Sequence, residues 1–335
     1  MTTTEVPPAG IGRPQRVPRV VKRAAKVAGV VIAALVVAVT AASFGYNLAT
    51  DGPAPRPAHL LFADGGGWHT RYLEWGTRGT PVVLVPGAFE TAGTYARLGP
   101  VLAKNHRVFA IDLSGTGYSA PDPPFSAGHL AGQILAFLKT ERLTGPDAPV
   151  LVGHSAGAAD VGIAALQDPG LVRGVVFLDG DATPLGLPSV AGAIVGTLFI
   201  NPYQTSVLRL ALSQDWLIKN LYSSLCGPTC PRLDEAGVNA WRWPLEQPGF
   251  QTELTYSMRH GITAMTPAQF AVLKATDVPK LVVVGVSDPE MGRADAALTA
   301  QRIGAPPPVY VPGRHLTMIA SPRQVAAAID SLGNR

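Results

Sequence analysis

The residues Gly153-His154-Ser155-Ala156-Gly157 follow the apolar run Val150-Leu151-Val152 and precede a helical pattern over Ala158–Gln167. A Gly-x-Ser-x-Gly turn between strand and helix lifts a serine hydroxyl clear of a sheet on a tight, strained backbone. Gly153 and Gly157 then flank the turn because helix and strand must approach closely, and Ser155 is the candidate nucleophile. The helix N-terminus behind Ser155 favours negative charge. His154 shares the turn but points elsewhere; with Gly153 and Gly157 it is read as support for the elbow.

A serine hydroxyl needs a base. Among the other histidines, His315 stands in Pro312-Gly313-Arg314-His315-Leu316, just after the last apolar run, Val309–Val311. That places it on a loop at a strand's C-terminal edge, where chemistry collects in open α/β sheets. His59, His69, His106, His129 and His260 lie at strand starts, helix starts or in a helical insertion. The base needs a carboxylate to hold its tautomer. Asp288, in Gly285-Val286-Ser287-Asp288-Pro289 after Leu281–Val284, is the leading candidate, with Asp179 and Asp181 after Val175–Leu178 as rivals. An oxyanion needs two N–H donors. The nominees are Ala156, next to the nucleophile, and Ala88, in the loop Pro86-Gly87-Ala88-Phe89.

The elements that must carry these loops are legible as short apolar runs alternating with amphipathic ones. Leu60–Ala63 and Tyr72–Trp75 flank Gly65-Gly66-Gly67 as a hairpin. Pro81–Val85, Arg107–Ile111, Val150–Val152, Val175–Leu178, Leu281–Val284 and Val309–Val311 read as strands. Ala127–Leu143 reads as a helix with Leu130, Ile134, Phe137 and Leu138 on one face, and Gln324–Leu332 as the last helix. Continuous Val/Ile/Leu runs separated by helices predict a mostly parallel sheet covered on both faces. Residues 183–270 break the alternation and read as an inserted helical cap. Its aromatics Tyr203, Trp216, Tyr222, Trp241, Trp243, Phe250 and Tyr256 either line an apolar pocket or form the cap's own core.

Residues 59–335 resemble the α/β-hydrolase fold of the esterase, lipase and C–C hydrolase group. The matching pieces are Tyr72-Leu73-Glu74-Trp75-Gly76, Val83-Leu84-Val85-Pro86-Gly87, Asp112-Leu113-Ser114-Gly115-Thr116-Gly117-Tyr118-Ser119, the elbow, and the Asp288 and His315 loops. The resemblance implies a Ser155–Asp288–His315 triad in that chain order. It makes Gly115 and Gly117 structural rather than phosphate-binding. Many relatives carry His-Gly where this chain has Pro86-Gly87, which weakens transfer of a substrate class. Dehalogenases and epoxide hydrolases of this fold use Asp at the Ser155 position.

Charge and cysteine usage set the surroundings. The chain of 335 residues holds Lys+Arg 27 against Asp+Glu 23. Arg13, Arg16, Arg19, Lys22, Arg23 and Lys26 against Glu5 give residues 1–26 a net +5, leaving 21 basic against 22 acidic elsewhere, a net −1. No basic stripe remains to track a phosphate backbone, so nucleic acid is not an expected partner. After the basic segment 1–26, residues 27–46 read as a transmembrane helix with the basic flank cytoplasmic. The alternative is a cleaved signal sequence, with secretion. A Pro-rich linker follows over 47–58. Cys226 and Cys230, in Cys-Gly-Pro-Thr-Cys, suit a local disulfide in an exported chain; two free thiols are the alternative. No metal-ligand motif occurs, and no cofactor is expected.

The resulting expectation is a membrane-anchored, extracytoplasmic serine hydrolase acting on a small-molecule carboxylic ester through an acyl-enzyme. A lipid-like ester would suit the membrane position. A base that must be neutral predicts activity lost on acidification through one ionisation. The same residues could serve amide or C–C bond hydrolysis, acyl transfer or cofactor-free peroxidation, and a catalytically silent binding protein is the alternative from another class.

Overall fold

The computed structural model describes residues 19–184 and 200–333. The chain divides into two compact units, Met1–Asp51 and Gly52–Arg335.

In the first unit a single helix, α1 (Arg19–Ala49), presents valines, leucines and isoleucines on all sides, with only Ser43 buried. It is longer than the apolar stretch 27–46 because the Arg/Lys-rich flank from Arg19 to Lys26 also consists of good helix formers. It ends just before Asp51-Gly52-Pro53, where glycine and proline stop helices.

The second unit is built on one eight-stranded sheet. Its strands are β1 (Leu61–Gly65), β2 (Trp68–Trp75), β3 (Val82–Val85), β4 (Val108–Ile111), β5 (Val150–His154), β6 (Gly174–Leu178), β7 (Lys280–Gly285) and β8 (Val309–Val311). Their spatial order is β1-β2-β4-β3-β5-β6-β7-β8. The β1–β2 hairpin and the β2–β4 pair are antiparallel, and the rest are parallel.

Strand periodicity sorts adjacent residues into two cores. Val83, Val85, Phe109, Ile111, Leu151, Phe177, Val282 and Val284 face one side. There they meet α3 (Ala127–Thr140), α4 (Gly157–Gln167), α9 (Pro267–Ala275) and α10 (Arg293–Ile303). Val82, Leu84, Val108, Ala110, Val150, Val152, Val176, Leu178, Leu281 and Val283 face the other. There they meet α2 (Gly99–Leu102), α11 (Thr317–Ala320) and α12 (Pro322–Gly333). Burial on both faces is why these strands read as unbroken apolar runs.

Between β6 and β7, the described residues of the expected cap are helical. They form α5 (Tyr203–Leu212), α6 (Asp215–Cys226), α7 (Glu235–Leu245) and α8 (Pro248–His260), with α9 beginning inside the expected boundary. Part of that expectation, 185–199, lies outside the described residues. The cap aromatics divide. Tyr222 and Phe250 are buried and Tyr222 meets the Trp241 ring edge-on, but Trp216 is 61% exposed.

The Pro-rich linker expected over 47–58 falls on the boundary between the two units. The second unit includes the proline segment from Gly52 on, and that segment packs within it. The Pro55 carbonyl accepts from Gln247 Nε2 at 2.9 Å, and Pro57 lines a cleft with Arg71, Tyr118 and Trp243. An extended proline backbone has no internal hydrogen bonds, so its carbonyls are free to be taken up in this way.

Candidate active site

The candidate residues converge at the C-terminal edge of the parallel strands, each on the loop that leaves its strand. Ser155 follows β5, the strand between β3 and β6. Its φ of 49° is the left-handed conformation expected of a nucleophile elbow. A Cβ at Gly153 would collide with the Gly157 carbonyl, and one at Gly157 with the Pro86 carbonyl. Strand, turn and helix are therefore as close as glycine alone permits. Ser155 Oγ has no hydrogen-bond partner among the described residues.

His315 is 4% exposed and lines a cleft of about 50 Å³ together with Ser155, Ala156, Asp181, Thr263 and Glu290. Its Nδ1 lies 3.0 Å from Asp288 Oδ2 and 3.1 Å from Oδ1. The Asp288 carboxylate is fully buried and is itself fixed: Oδ1 accepts from the backbone N–H of Glu290 at 2.8 Å and of Met291 at 3.2 Å. Nδ1 donates to Asp288, so Nε2 is the nitrogen left to exchange a proton with a neighbouring group. In this conformation Nε2 faces the Glu290 carboxylate at 3.2 Å rather than Ser155. Sequence reasoning missed Glu290; its position two residues after Asp288 is the only local signal.

The rival acids do different work. Asp179 accepts from Gly285 N at 2.8 Å and from both the backbone N–H and the hydroxyl of Thr317. It thus joins the end of β7, which leads to Asp288, to the residue two beyond His315. Burial pushes its carboxyl up to about 7, against the pull of His154 and the Thr317 hydrogen bond. Asp181 binds Thr183 through both backbone and hydroxyl.

The loop after β3 holds Ala88 near the elbow. A Cβ on Gly87 would come within 2.9 Å of Ser155 Cβ, so this loop touches the nucleophile's own side chain. The Gly87 N–H donates to Glu90 Oε2 at 3.1 Å. The N–H groups of Ala88 and Ala156 find no acceptor among the described residues.

His154 is wholly buried between Glu90 Oε2, 2.7 Å from Nδ1, and the His315 carbonyl, 2.8 Å from Nε2. Burial alone would lower its pKa, but the Glu90 charge and hydrogen bond outweigh this and raise it to about 9. For Glu90, burial pushes the carboxyl up and His154 pulls it below the usual range. Glu90 was also missed, because nothing in local spacing joins positions 64 residues apart.

Behind His315, the last turn of α6 supports the base loop. Arg314 Nη1 donates to the Ser224 carbonyl at 3.0 Å, and the Leu316 N–H to the Leu225 carbonyl at 3.3 Å. A disulfide joins Cys226 to Cys230 at this helix end. Elsewhere, Asp112 in the glycine-rich loop is buried against Arg71 and accepts from the N–H groups of Ala92 and Tyr118, a structural role. Among the described residues, no group of three or more His, Cys, Asp or Glu side chains is placed to hold a metal ion.

A parallel sheet with a strained serine elbow at its centre defines the class. Residues 82–328 match the model of the Alpha/beta hydrolase family, and the chain belongs to that family. It is 34% identical over 122 residues to 2-hydroxy-6-oxo-6-(2'-aminophenyl)hexa-2,4-dienoic acid hydrolase of Metapseudomonas resinovorans, covering 35% of this chain and 41% of that one. It is 34% identical over 116 residues to N-formylmaleamate deformylase of Pseudomonas putida, covering 34% and 42%. The chain thus spans less than half the length of these two relatives. A thermophilic esterase from Thermogutta terrifontis superposes with a TM-score of 0.65 at 20% identity, over 83% of this chain and 98% of that one. This last likeness shows the fold.

Proposed function

We propose that the protein is a serine hydrolase that cleaves a carboxylic ester, held at a membrane with its catalytic unit outside the cytoplasm. One observation carries the reading: His315 sits on the buried Asp288 carboxylate through Nδ1 and shares a cleft with Ser155, which has no partner among the described residues. Ser155 Oγ attacks the acyl carbon while its proton passes to His315 Nε2. The Ala88 and Ala156 N–H groups take the oxyanion, a contribution of ~3–4 kcal/mol per donor in comparable sites. The intermediate collapses, His315 returns the proton to the leaving alkoxide, and the acyl group stays on Ser155. Water, deprotonated by the same Nε2, then releases the acid. Asp288 holds the ring and stabilises the imidazolium in both halves.

The charge of the cleft narrows the substrate. Its ionisable lining besides His315 is acidic: Asp179, Asp181 and Glu290. Residues 185–199 contain no Lys or Arg. A carboxylate near the scissile bond would meet like charge. The substrate is therefore an ester uncharged close to the reacting carbonyl, and a lipid-like ester satisfies this. Amide and C–C bond hydrolysis would draw on the same residues, and product analysis separates them from ester cleavage.

The test is labelling of the full chain with a fluorophosphonate, beside Ser155→Ala. Labelling of the parent alone is the expected result. Labelling of neither, or equal turnover of a p-nitrophenyl ester by both, overturns the assignment.

A further inference from the structure

Beneath the elbow lies a buried ion pair that the proposed triad does not use. His154 has two ring nitrogens, and each faces an oxygen that accepts: the His315 carbonyl, and the Glu90 carboxylate, whose ionised form is favoured by the Gly87 N–H on the same oxygen. Nδ1 meets Glu90 Oε2 at 2.7 Å, and Nε2 meets the carbonyl oxygen of His315 at 2.8 Å. A neutral imidazole has one N–H and one lone pair, so it could satisfy only one of them. The remaining lone pair would point at another lone pair in a fully buried site, where an unmade hydrogen bond is costly. Two acceptors therefore require two donors, and the ring carries a positive charge.

We propose that His154 is a permanent imidazolium and that, with Glu90, it is a positioning pair. It ties the loop that bears the oxyanion donor Ala88 to the loop that bears the base His315. The inference rests on the serine-hydrolase reading for its catalytic consequence, but not for the charge itself.

The tie has three links. Glu90 Oε2 accepts the Gly87 N–H at 3.1 Å, which fixes the peptide next to Ala88. The same oxygen accepts from His154 Nδ1. His154 Nε2–H then grips the backbone of His315, and the two imidazole rings stand 4.9 Å apart. Oxyanion loop, elbow and base loop are thereby connected through one side-chain pair. Glu90 also consumes the Gly87 donor, which leaves the oxyanion to the Ala88 and Ala156 amides.

The surroundings of the ring support the charge. The titratable groups facing it are Glu90 after β3, Asp179 after β6, and His315 after β8, with Asp288 behind His315. Tyr95 lies nearby and donates its hydroxyl to the Val85 carbonyl, so it stays neutral. Against one cation this pocket sets the Glu90 carboxylate, to which Asp179 adds negative charge as it ionises. A buried pair of this kind is costly to break from one side, because the partner is left charged and unpaired.

The experiment uses the full chain labelled with 15N-histidine in detergent micelles, with His154 assigned by through-bond correlation in the parent. Expected are two ring N–H protons on His154 and imidazolium nitrogen shifts unchanged from pH 5 to 8. A bare, unprotonated ring nitrogen at pH 7 would overturn the proposal whatever the activity. The catalytic half is read in Glu90→Gln. With a p-nitrophenyl ester its kcat should fall about tenfold or more, as expected when reacting groups are misplaced by a fraction of an ångström, with KM within about twofold. Unchanged kcat in a variant that has lost the imidazolium signals would overturn the tie. A parent that shows the imidazolium but no fluorophosphonate labelling refutes the hydrolase reading and its catalytic consequence, and leaves the charge standing.

Discussion

At the scale of single residues, the base is engaged at both nitrogens. Asp288 holds Nδ1, and Glu290 stands at Nε2, the atom that takes the Ser155 proton in the proposed reaction. Glu290 is half exposed, so its grip is that of a surface-type pair, worth up to about 1 kcal/mol. Glu290→Ala removes a competitor for Nε2. The expected result is faster fluorophosphonate labelling of Ser155, by about fivefold at most, since ~1 kcal/mol is about that factor in rate. Slower labelling would instead make Glu290 part of the working site. The like-charge argument is tested at the same scale. Of two p-nitrophenyl esters matched in length, the one ending in a carboxylate should have a kcat/KM lower by about tenfold or more, equivalent to ~1.4 kcal/mol. Equal values would show that Asp181 and Glu290 do not sense the acyl group.

How much was legible from sequence also divides at this scale. Ser155 was readable because the elbow's geometry demands glycines at fixed offsets beside a strand and a helix. Asp288 and His315 were readable because each follows an apolar strand by a few residues, at the edge where loops converge. Glu90 and Glu290 were not. Their roles arise from contacts across the fold, and a glutamate on a loop looks the same whether it faces water or a buried imidazole. Asp179 shows the converse: it has the right position at a strand end, but its hydrogen bonds go to Gly285 and Thr317.

At the scale of elements, the sheet was legible strand by strand, and the cap only as a helical insertion. Buried parallel strands leave unbroken apolar runs, whereas α5 to α8 are short and partly polar, so their packing leaves no fixed sequence period. One consequence is measurable on α8. Glu253 is buried there; Ser257 donates to its Oε1 at 2.7 Å, and Oε2 has no partner among the described residues. Burial pushes its carboxyl up to about 7 from an ordinary 4.5. The folded state therefore holds this proton more tightly than the unfolded chain. The stability it confers is full below about pH 4.5 and is lost as pH rises to about 7. Glu253→Gln keeps the Ser257 contact and cannot ionise. Its Tm should exceed the parent's at pH 8, by a difference of at most about 3 kcal/mol, and the gap should close toward pH 5. A gap independent of pH would show that Glu253 is not the titrating group.

At the scale of the whole molecule, α1 and the second unit have opposite surface logic. The helix exposes Val30, Ile32, Leu35, Val37 and Phe44, while the same residue types in β3 to β7 are buried. A 31-residue helix of that composition, about 46 Å long, is more than enough to cross a hydrocarbon core. The six basic residues before Val27 favour keeping that end in the cytoplasm. The anchor reading predicts that the full-length chain stays with membranes through alkaline carbonate extraction and is released by detergent. A shortened product in the soluble fraction, beginning after residue 40, would instead mark α1 as a removed signal.

The grip of α6 on the residues flanking His315 has a mechanical consequence. Arg314 and Leu316 are bonded to the final turn of a helix that belongs to the insertion, not to the sheet, and the Cys226–Cys230 bridge closes that turn. Cap and base are thus components in series, as a handle is to a latch. Free energy exchanged between coupled sites is reciprocal. A molecule that settles more favourably when α6 shifts will also move Nε2, and the arrangement of Nε2 best suited to proton transfer will be the one that holds that molecule most firmly. On the proposed reading of His315 as the base, the insertion is therefore a lever on the chemistry.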